Sequence, residues 1–275
     1  MDGHRDTTHF EVINKIQAPP LPHDPTPKNF KVLLVYPNYA MVNLLPTNIG
    51  ILTACLRRNG FEVGLYDTTF YRTAEKTIDE IRVENLHKSF DGQRVLQGIT
   101  LDVATGEIMI IIGRSGEGKS VFLRHLLGLL RPDSGHIMVD GIDTTHLRGR
   151  EMDRVRLRYG VVFQGGALFD SMTVFDNVAF PLREKTRLSA DEIAGRVNEK
   201  LGQVGLTDMG HKYPDEISGG MKKRVAIARA LVTEPEIVFF DEPTTGLDPV
   251  LVNAIHHLIL DLHRKFRFTA VMVSH

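Results

Sequence analysis

An α/β fold built on a parallel sheet is the class that this 275-residue sequence predicts. Three observations predict it. Apolar runs of strand length recur at 108–112, 237–240 and 269–273, nearly uninterrupted, as a sheet covered on both faces demands. The first run leads into Gly113-Arg114-Ser115-Gly116-Glu117-Gly118-Lys119-Ser120, a G-x-x-x-x-G-K-[ST] phosphate loop, and then into an apolar-periodic stretch at 121–130. The second run ends in two adjacent carboxylates, Asp241 and Glu242. Strand, loop and helix in that order define a P-loop NTPase.

The chain before this core divides in two. Residues 1–28 are polar, with prolines at 19, 20, 22, 25 and 27, and read as a flexible leader. Residues 31–36 form a short apolar strand. Residues 47–58 have helical periodicity, with Ile49, Leu52 and Leu56 on one face, and stop at Asn59-Gly60. Residues 61–66 read as a second strand. In Val32-Leu33-Leu34-Val35-Tyr36-Pro37 and Arg58-Asn59-Gly60-Phe61-Glu62-Val63, this β-α-β fragment at 29–78 resembles the opening of the cobalamin-binding domain ahead of some radical-SAM enzymes. The match stops before the strands that would complete such a sheet, and the single cysteine, Cys55, leaves no three-cysteine cluster. No cofactor is expected there. A lone β-α-β unit cannot cover both faces of its strands. It docks on the following domain, self-associates, or is a mis-joined gene product. The last is the expectation, and it makes residues 1–78 dispensable for nucleotide binding.

The core elements follow in order. Residues 81–102 should form antiparallel β structure. Residues 108–112 lead into the phosphate loop and the first long helix, and 135–140 look like a strand before a Gly turn. Residues 165–230 should be mainly helical, with Ser189 capping a helix over 188–205 ahead of Asp191-Glu192. The runs at 237–240 and 269–273 are core parallel strands.

Chemistry concentrates on the loop. Its glycines let backbone N–H groups turn inward on phosphate oxygens, and the helix start adds positive potential there. Lys119 would sit between the β- and γ-phosphates, and the Ser120 hydroxyl would bind Mg²⁺. Asp241 and Glu242 follow a buried strand and precede Pro243, which makes an ordinary solvated turn a poor description of them.

Ile217-Ser218-Gly219-Gly220-Met221, followed by Lys222-Lys223-Arg224-Val225-Ala226-Ile227-Ala228-Arg229-Ala230-Leu231, resembles the signature helix of ATP-binding-cassette (ABC) ATPases. Ser218 can cap that helix, and Gly219-Gly220 allows close approach of an anion. Lys222-Lys223-Arg224 reads as the solvated face of this helix. The resemblance implies an ABC cassette over 81–275: a mixed sheet core, an antiparallel β part and a helical subdomain. It implies ATP and Mg²⁺ as ligands and a homodimer in which Ser218, Gly219 and Gly220 of one copy close over ATP on the other. It assigns Asp241 to Mg²⁺ through water, Glu242 to the attacking water as general base, and Gln164 to Mg²⁺ and transporter sensing. Asp248, in Thr245-Gly246-Leu247-Asp248-Pro249, falls in the loop that crosses the dimer interface. Phe90 takes the place of an adenine-stacking aromatic, and His275 that of the switch histidine.

Residues 164–183 and 217–224, with Met221 and Ile217 in place of the usual signature glutamine and leucine, look like the ATPase of MCE/Mla phospholipid-transport systems. That resemblance implies a transmembrane permease, an MCE-type lipid-binding partner and a peripheral place on the cytoplasmic face of the bacterial inner membrane. Amino-acid transport is the alternative, since the ATPase core is shared between transporters.

Composition agrees. Thirty-three Lys plus Arg against 34 Asp plus Glu leave a formal net charge of −1, so no nucleic-acid footprint stands out. No apolar run approaches the roughly 20 residues that cross a bilayer. A polar, charged N-terminus carries no signal-peptide pattern. Only 97 residues separate Ser120 from Ser218, too few for the coiled coil of a repair-type ABC protein, and one cassette argues against the translation type. The sequence ends at His275, where the family continues. The expectation is a cassette that binds ATP and hydrolyses it poorly, which leaves a non-catalytic binding module as a further class.

Overall fold

The computed structural model describes the backbone of residues 30–35, 62–66 and 79–274, with side chains from residue 80 to 274. The Pro-rich leader, the helix expected at 47–58 and His275 lie outside the described residues.

Two sheets organise the chain. The first holds β1 (Phe30–Val35), β2 (Glu62–Tyr66), β5 (Ile108–Ile112), β8 (Tyr159–Val162), β9 (Ile237–Asp241) and β10 (Thr269–Ser274), all parallel, in the order β2-β1-β5-β10-β9-β8. The second is antiparallel: β3 (Asp79–Phe90), β4 (Gln93–Ala104), β6 (Ser134–Val139) and β7 (Ile142–Asp143), in the order β4-β3-β6-β7. The helices are α1 (Lys119–Leu126), α2 (Gly149–Arg156), α3 (Val174–Lys185), α4 (Ala190–Gln203), α5 (Gly219–Leu231) and α6 (Pro249–Phe266).

Strand periodicity sorts the core onto the two faces of the parallel sheet. Ile108, Val238, Phe240, Ala270 and Met272 pack on one side with α3, α4, α5 and α6. Met109, Ile111, Ile237, Phe239, Val271 and Val273 pack on the other with α1 and the antiparallel sheet. Both faces are covered, which is why these strands read as unbroken apolar runs.

The helical layer is fixed by local chemistry as much as by burial. Ser189 and Glu192 form a capping box at the start of α4, as the sequence predicts. Asn177, fully buried in α3, accepts from Phe169 N–H and donates to the carbonyls of Phe169, Met172 and Thr173. One amide thereby satisfies four backbone groups on Phe169, Met172 and Thr173, just ahead of the helix.

β1 pairs in parallel with β5 from Phe30↔Ile108 to Leu34↔Ile112, so the N-terminal strands extend the sheet beside the phosphate-loop strand. Removing residues 1–78 strips that partner and leaves β5 an open edge. The expected result is ATP affinity within about twofold of the full chain, with greater self-association on gel filtration. A loss of ATP affinity well beyond that would show that β1 shapes the loop as well as covering its strand.

Candidate nucleotide site

The carboxyl ends of β5, β9 and β8 lie on the same edge of the parallel sheet, with β10 between β5 and β9, and each of the three carries one part of the site. This is where open α/β sheets hold their ligands. β5 delivers the phosphate loop, β9 delivers Asp241 and Glu242, and β8 delivers Gln164 two residues past its end.

Gly116 and Gly118 both adopt φ of +84°, which the loop's inward turn requires. A Cβ on Gly118 would lie 2.8 Å from Val95 Cγ1, so the β3–β4 hairpin closes the loop from one side. Lys119 is buried, and its Nζ donates to the carbonyls of Gly113 and Arg114, each at 2.7 Å. Burial lowers its pKa against the opposing pull of Glu242, Glu117 and Asp241. Arg114 N–H donates to the Glu117 carboxylate at 2.7 Å. Ser115 stands exposed at the tip.

Across from the loop, Ser120 Oγ donates to Asp241 Oδ1 at 3.2 Å, a link spanning 121 residues of sequence. Burial pushes the Asp241 pKa up and Glu242 adds to it, while Ser120, Arg124 and Lys119 pull it down. Glu242 sits at a φ of +48°, a left-handed conformation that a non-glycine residue adopts at a cost of about 1 kcal/mol. Its Oε2 accepts from Gln164 Nε2 at 2.8 Å and from Thr245 Oγ1 at 3.0 Å. The Gln164 nitrogen is thus turned to Glu242, which leaves its amide oxygen as an acceptor for another group. Ser120, Asp241 and Gln164 together offer hard oxygen donors, the set that Mg²⁺ prefers. Among the described residues no three His, Cys, Asp or Glu side chains converge on a metal.

Ser218 caps α5 by accepting from Met221 N–H at 3.3 Å. Asp248 caps α6, accepting from Val250 and Leu251 N–H at 3.0 Å each. Gly220 faces Leu251 in the first turn of α6 and Gly219 faces Leu247, so the start of α5 lies against the 245–249 loop and the helix after it. Among the described residues no hydrogen bond joins Ser218, Gly219 or Gly220 to the phosphate loop of the same chain. Phe90, 40% exposed at the tip of β3, has Lys88 Nζ 5.4 Å from its ring centre. It shares a hairpin with Val95, which touches the loop.

The basic run of α5 is not the solvated face that the sequence suggests. Lys223 is only 5% exposed, its Nζ has no hydrogen-bond partner, and burial lowers its pKa while Glu242 opposes that shift. Arg224 reaches inward to the Val204 carbonyl. Arg229, which sequence reasoning missed, is buried and donates to the carbonyls of Gly166 at 2.6 Å and Ala167 at 2.8 Å. It ties the signature helix to the turn after Gln164. An arginine on an otherwise apolar, small-residue helix face was the available signal.

A phosphate loop facing a strand-end carboxylate pair and a polar glutamine defines a nucleotide-binding cassette. The sequence profile of the ABC transporter family matches residues 96–245, and the chain belongs to that family. It is 48% identical over 195 residues to the probable ribonucleotide transport ATP-binding protein mkl of Mycobacterium leprae, covering 71% of this chain and 56% of that protein. It is 43% identical over 198 residues to the methionine import ATP-binding protein MetN of Carboxydothermus hydrogenoformans (71% and 58% covered). It is 42% identical over 195 residues to the intermembrane phospholipid transport system ATP-binding protein MlaF of Haemophilus influenzae (71% and 74%). The chain thus spans little more than half the length of mkl and MetN. Among solved structures, the ATP-binding cassette MJ0796, described as a dimeric post-hydrolysis state with ADP and Pi, overlays with a TM-score of 0.65. That match is 33% identical and covers 71% of this chain and 88% of the other.

Two outcomes follow from the buried charges. An acid whose folded pKa is raised costs the fold stability above its unfolded value of 3.8, and acidification removes the cost. Asp241→Asn should therefore raise the thermal midpoint of the nucleotide-free chain at neutral pH by about 2–4 °C, with the gain shrinking toward about pH 4. For Lys223 the sign is mirrored. The depressed pKa costs stability at neutral pH, and the cost fades as pH rises toward 10.5. Lys223→Met should stabilise the chain most at pH 7 and least above pH 10, read by chemical denaturation. A variant less stable than wild type at pH 7 would show that the ammonium has a partner in solution.

Proposed function

We propose that this chain is the ATP-hydrolysing subunit of a membrane ABC transporter, acting as a homodimer on Mg²⁺-ATP and energising the movement of phospholipid. One observation carries the hydrolytic reading: Gln164 and Thr245 together hold Glu242 Oε2, beside the Ser120–Asp241 link and the phosphate loop.

The chemistry follows from that arrangement. ATP phosphates enter the cradle of Gly113, Arg114, Ser115, Gly116, Glu117 and Gly118, where N–H groups and the N-terminus of α1 meet their charge. Lys119 exchanges its two carbonyl partners for phosphate oxygens, so its site is pre-shaped. Phe90 stacks on the adenine from the β3 tip. Ser120, Asp241 and Gln164 would hold Mg²⁺, which would supply positive charge against the phosphates. Glu242, oriented by two donors, takes a proton from a water placed in line with the γ-phosphorus. The water oxygen bonds to that phosphorus as its bond to the bridging oxygen breaks, with the bonding pair leaving on ADP, and inorganic phosphate results. Positioning and electrostatic stabilisation supply most of the rate. His275 is proposed as the switch histidine on the strength of its place after β10.

The dimer reading is supported by the signature's separation from the loop of its own chain. Ser218, Gly219, Gly220 and Asp248 are then offered to ATP on a second copy. Val250, 77% exposed, and Leu251 flank that surface, and the MJ0796 cassette is described as dimeric. The permease would read the site through the exposed Phe163 and Phe169 on either side of the Gln164 turn. Among the described residues no helix is long and apolar enough to cross a membrane. The proposed place is the cytoplasmic face of a bacterial inner membrane, with an MCE-type lipid-binding partner. Phospholipid is favoured by the segments 164–183 and 217–224 and by the likeness to MlaF. Amino-acid import is the second reading, favoured by the likeness to MetN.

Turnover of Mg²⁺-ATP by the full chain should fall roughly 10²–10⁴-fold in Glu242→Gln, with ATP affinity retained. Bound ATP without turnover in the unmodified chain would sink the hydrolytic reading. Extraction of the co-purified permease complex separates the cargo readings, by recovering phospholipid or an amino acid.

A further inference from the structure

The helix α5 buries two cations, Lys223 and Arg229. Arg229 donates to the carbonyls of Gly166 and Ala167, which satisfies it. Lys223 is 5% exposed, and its Nζ has no hydrogen-bond partner. A buried ammonium left in this way costs stability, and an aliphatic side chain of similar length would fill the space without that cost. Local rules of this kind are broken mainly at functional sites.

The place of Lys223 on its helix says what the charge is for. It stands one turn from Gly219 and Gly220 on one side and one turn from Ala226 on the other, so the four share a face. A Cβ on Gly219 would lie 4.0 Å from Leu247 Cδ2, and one on Gly220 would lie 3.5 Å from Leu251 Cδ1. That end of the face meets the segment that follows Glu242. A Cβ on Gly166 would lie 3.4 Å from that of Ala226, so the other end meets the turn after Gln164. Lys223 lies on the face between these two segments. The same two segments hold Glu242: Gln164 Nε2 and Thr245 Oγ1 both donate to its Oε2, at 2.8 and 3.0 Å. Glu242 is also the charge whose field favours the ammonium against its burial.

We propose that Lys223 is a positioning residue for ATP hydrolysis: its buried ammonium, seated between the two segments that orient Glu242, holds that carboxylate in place when the γ-phosphate arrives. Its role rests on the hydrolytic reading proposed for Glu242.

The need is electrostatic. A γ-phosphate in the loop brings negative charge toward a carboxylate that already adjoins Asp241. Where water is largely excluded that repulsion is strong, and it drives Glu242 away from the attacking water. Two buried lysines lie in the field of Glu242, Lys119 from α1 and Lys223 from α5. Lys119 is turned to the carbonyls of Gly113 and Arg114, and phosphate oxygens would take up its charge. Lys223 faces no phosphate of its own chain, so its charge stays with Glu242 through the reaction. Its Nζ makes no hydrogen bond to Glu242, so the effect is one of field across a low-dielectric interior. A shift of α5 would then move the charge that steadies the base.

The test is a double-mutant cycle in the full 275-residue chain: the unmodified protein, Lys223→Met, Glu242→Gln and the two changes together. Methionine keeps an unbranched apolar stem and removes the charge. Turnover of Mg²⁺-ATP should fall at least about tenfold in Lys223→Met, with ATP affinity within about twofold of the unmodified chain. Lys223→Met should cause no further fall in the Glu242→Gln background. Chemical denaturation of the four nucleotide-free proteins at pH 7 gives a second readout that needs no turnover. Removing the ammonium should favour the folded state more in the Glu242→Gln background, by at least about threefold in the folding equilibrium constant, because the carboxylate that offset its burial is gone. A merely structural lysine would shift stability equally in both backgrounds. Equal shifts, or undiminished turnover in Lys223→Met, overturn the proposal. An unmodified chain that binds ATP without turnover counts against the hydrolytic reading instead. The denaturation cycle then decides Lys223 alone: unequal shifts sustain its coupling to Glu242, and equal shifts overturn it.

Discussion

Two adjacent carboxylates at the end of a buried strand set the terms for the rest of this structure. Asp241 and Glu242 lie where water is largely excluded, and ionised groups there are costly unless paired or hydrogen-bonded. The fold surrounds them with donors drawn from distant parts of the chain. Ser120 comes from the start of α1, Gln164 from beyond β8, and Thr245 from the loop after β9. The parallel sheet is what makes this possible, because its strands all end on one side. The left-handed backbone of Glu242 is part of the same arrangement. A residue held in that conformation points its carboxylate at a place the strand direction alone would not reach, and its surroundings offset the strain.

The signature helix answers to the same centre. Lys223, buried without a hydrogen bond, faces the field of Glu242, and Arg229 grips the two carbonyls just after Gln164. The helix and the glutamine turn therefore move as a unit unless those charge-assisted bonds break. A change at Gln164 on nucleotide binding would reach α5 through Arg229, and from its capped start would reach Ser218 and whatever it faces. The small buried residues Ala226, Ala228 and Ala230 leave α5 close against its neighbours, with little slack to absorb such a displacement.

Legibility tracked locality. The phosphate loop, the strand runs, the Ser189 cap and the carboxylate pair were readable because each is determined by neighbours in sequence. The pairing of Gln164 with Glu242 was not anticipated: resemblance assigned Gln164 to Mg²⁺ and Glu242 to water, and the two are 78 residues apart with no local pattern joining them. Lys223 was misread because a Lys-Lys-Arg run looks solvated until the packing of α5 against the sheet is known. Arg229 was passed over for the same reason. The sequence left docking on the following domain, self-association and a mis-joined product as readings of the N-terminal strands, with the last expected; in the structure the backbone of β1 pairs with β5. Strand pairing is non-local, and an apolar six-residue run does not announce which edge it joins.

The edge beside β5 explains why that pairing has physical weight. A parallel strand carrying a phosphate loop must hold its carboxyl end fixed to within a fraction of an ångström, since loop donors act only at hydrogen-bond distance. β10 fixes β5 from one side through five register pairs, and β1 matches it from the other with five. A strand bonded on one side only can twist away from its sheet and is open to pairing with another chain. With both sides engaged, the loop inherits the rigidity of the sheet interior, and the variable part of the site is left to Gln164 and the signature helix. That division suits a nucleotide switch: the phosphates are held by what cannot move, and the response is read by what can.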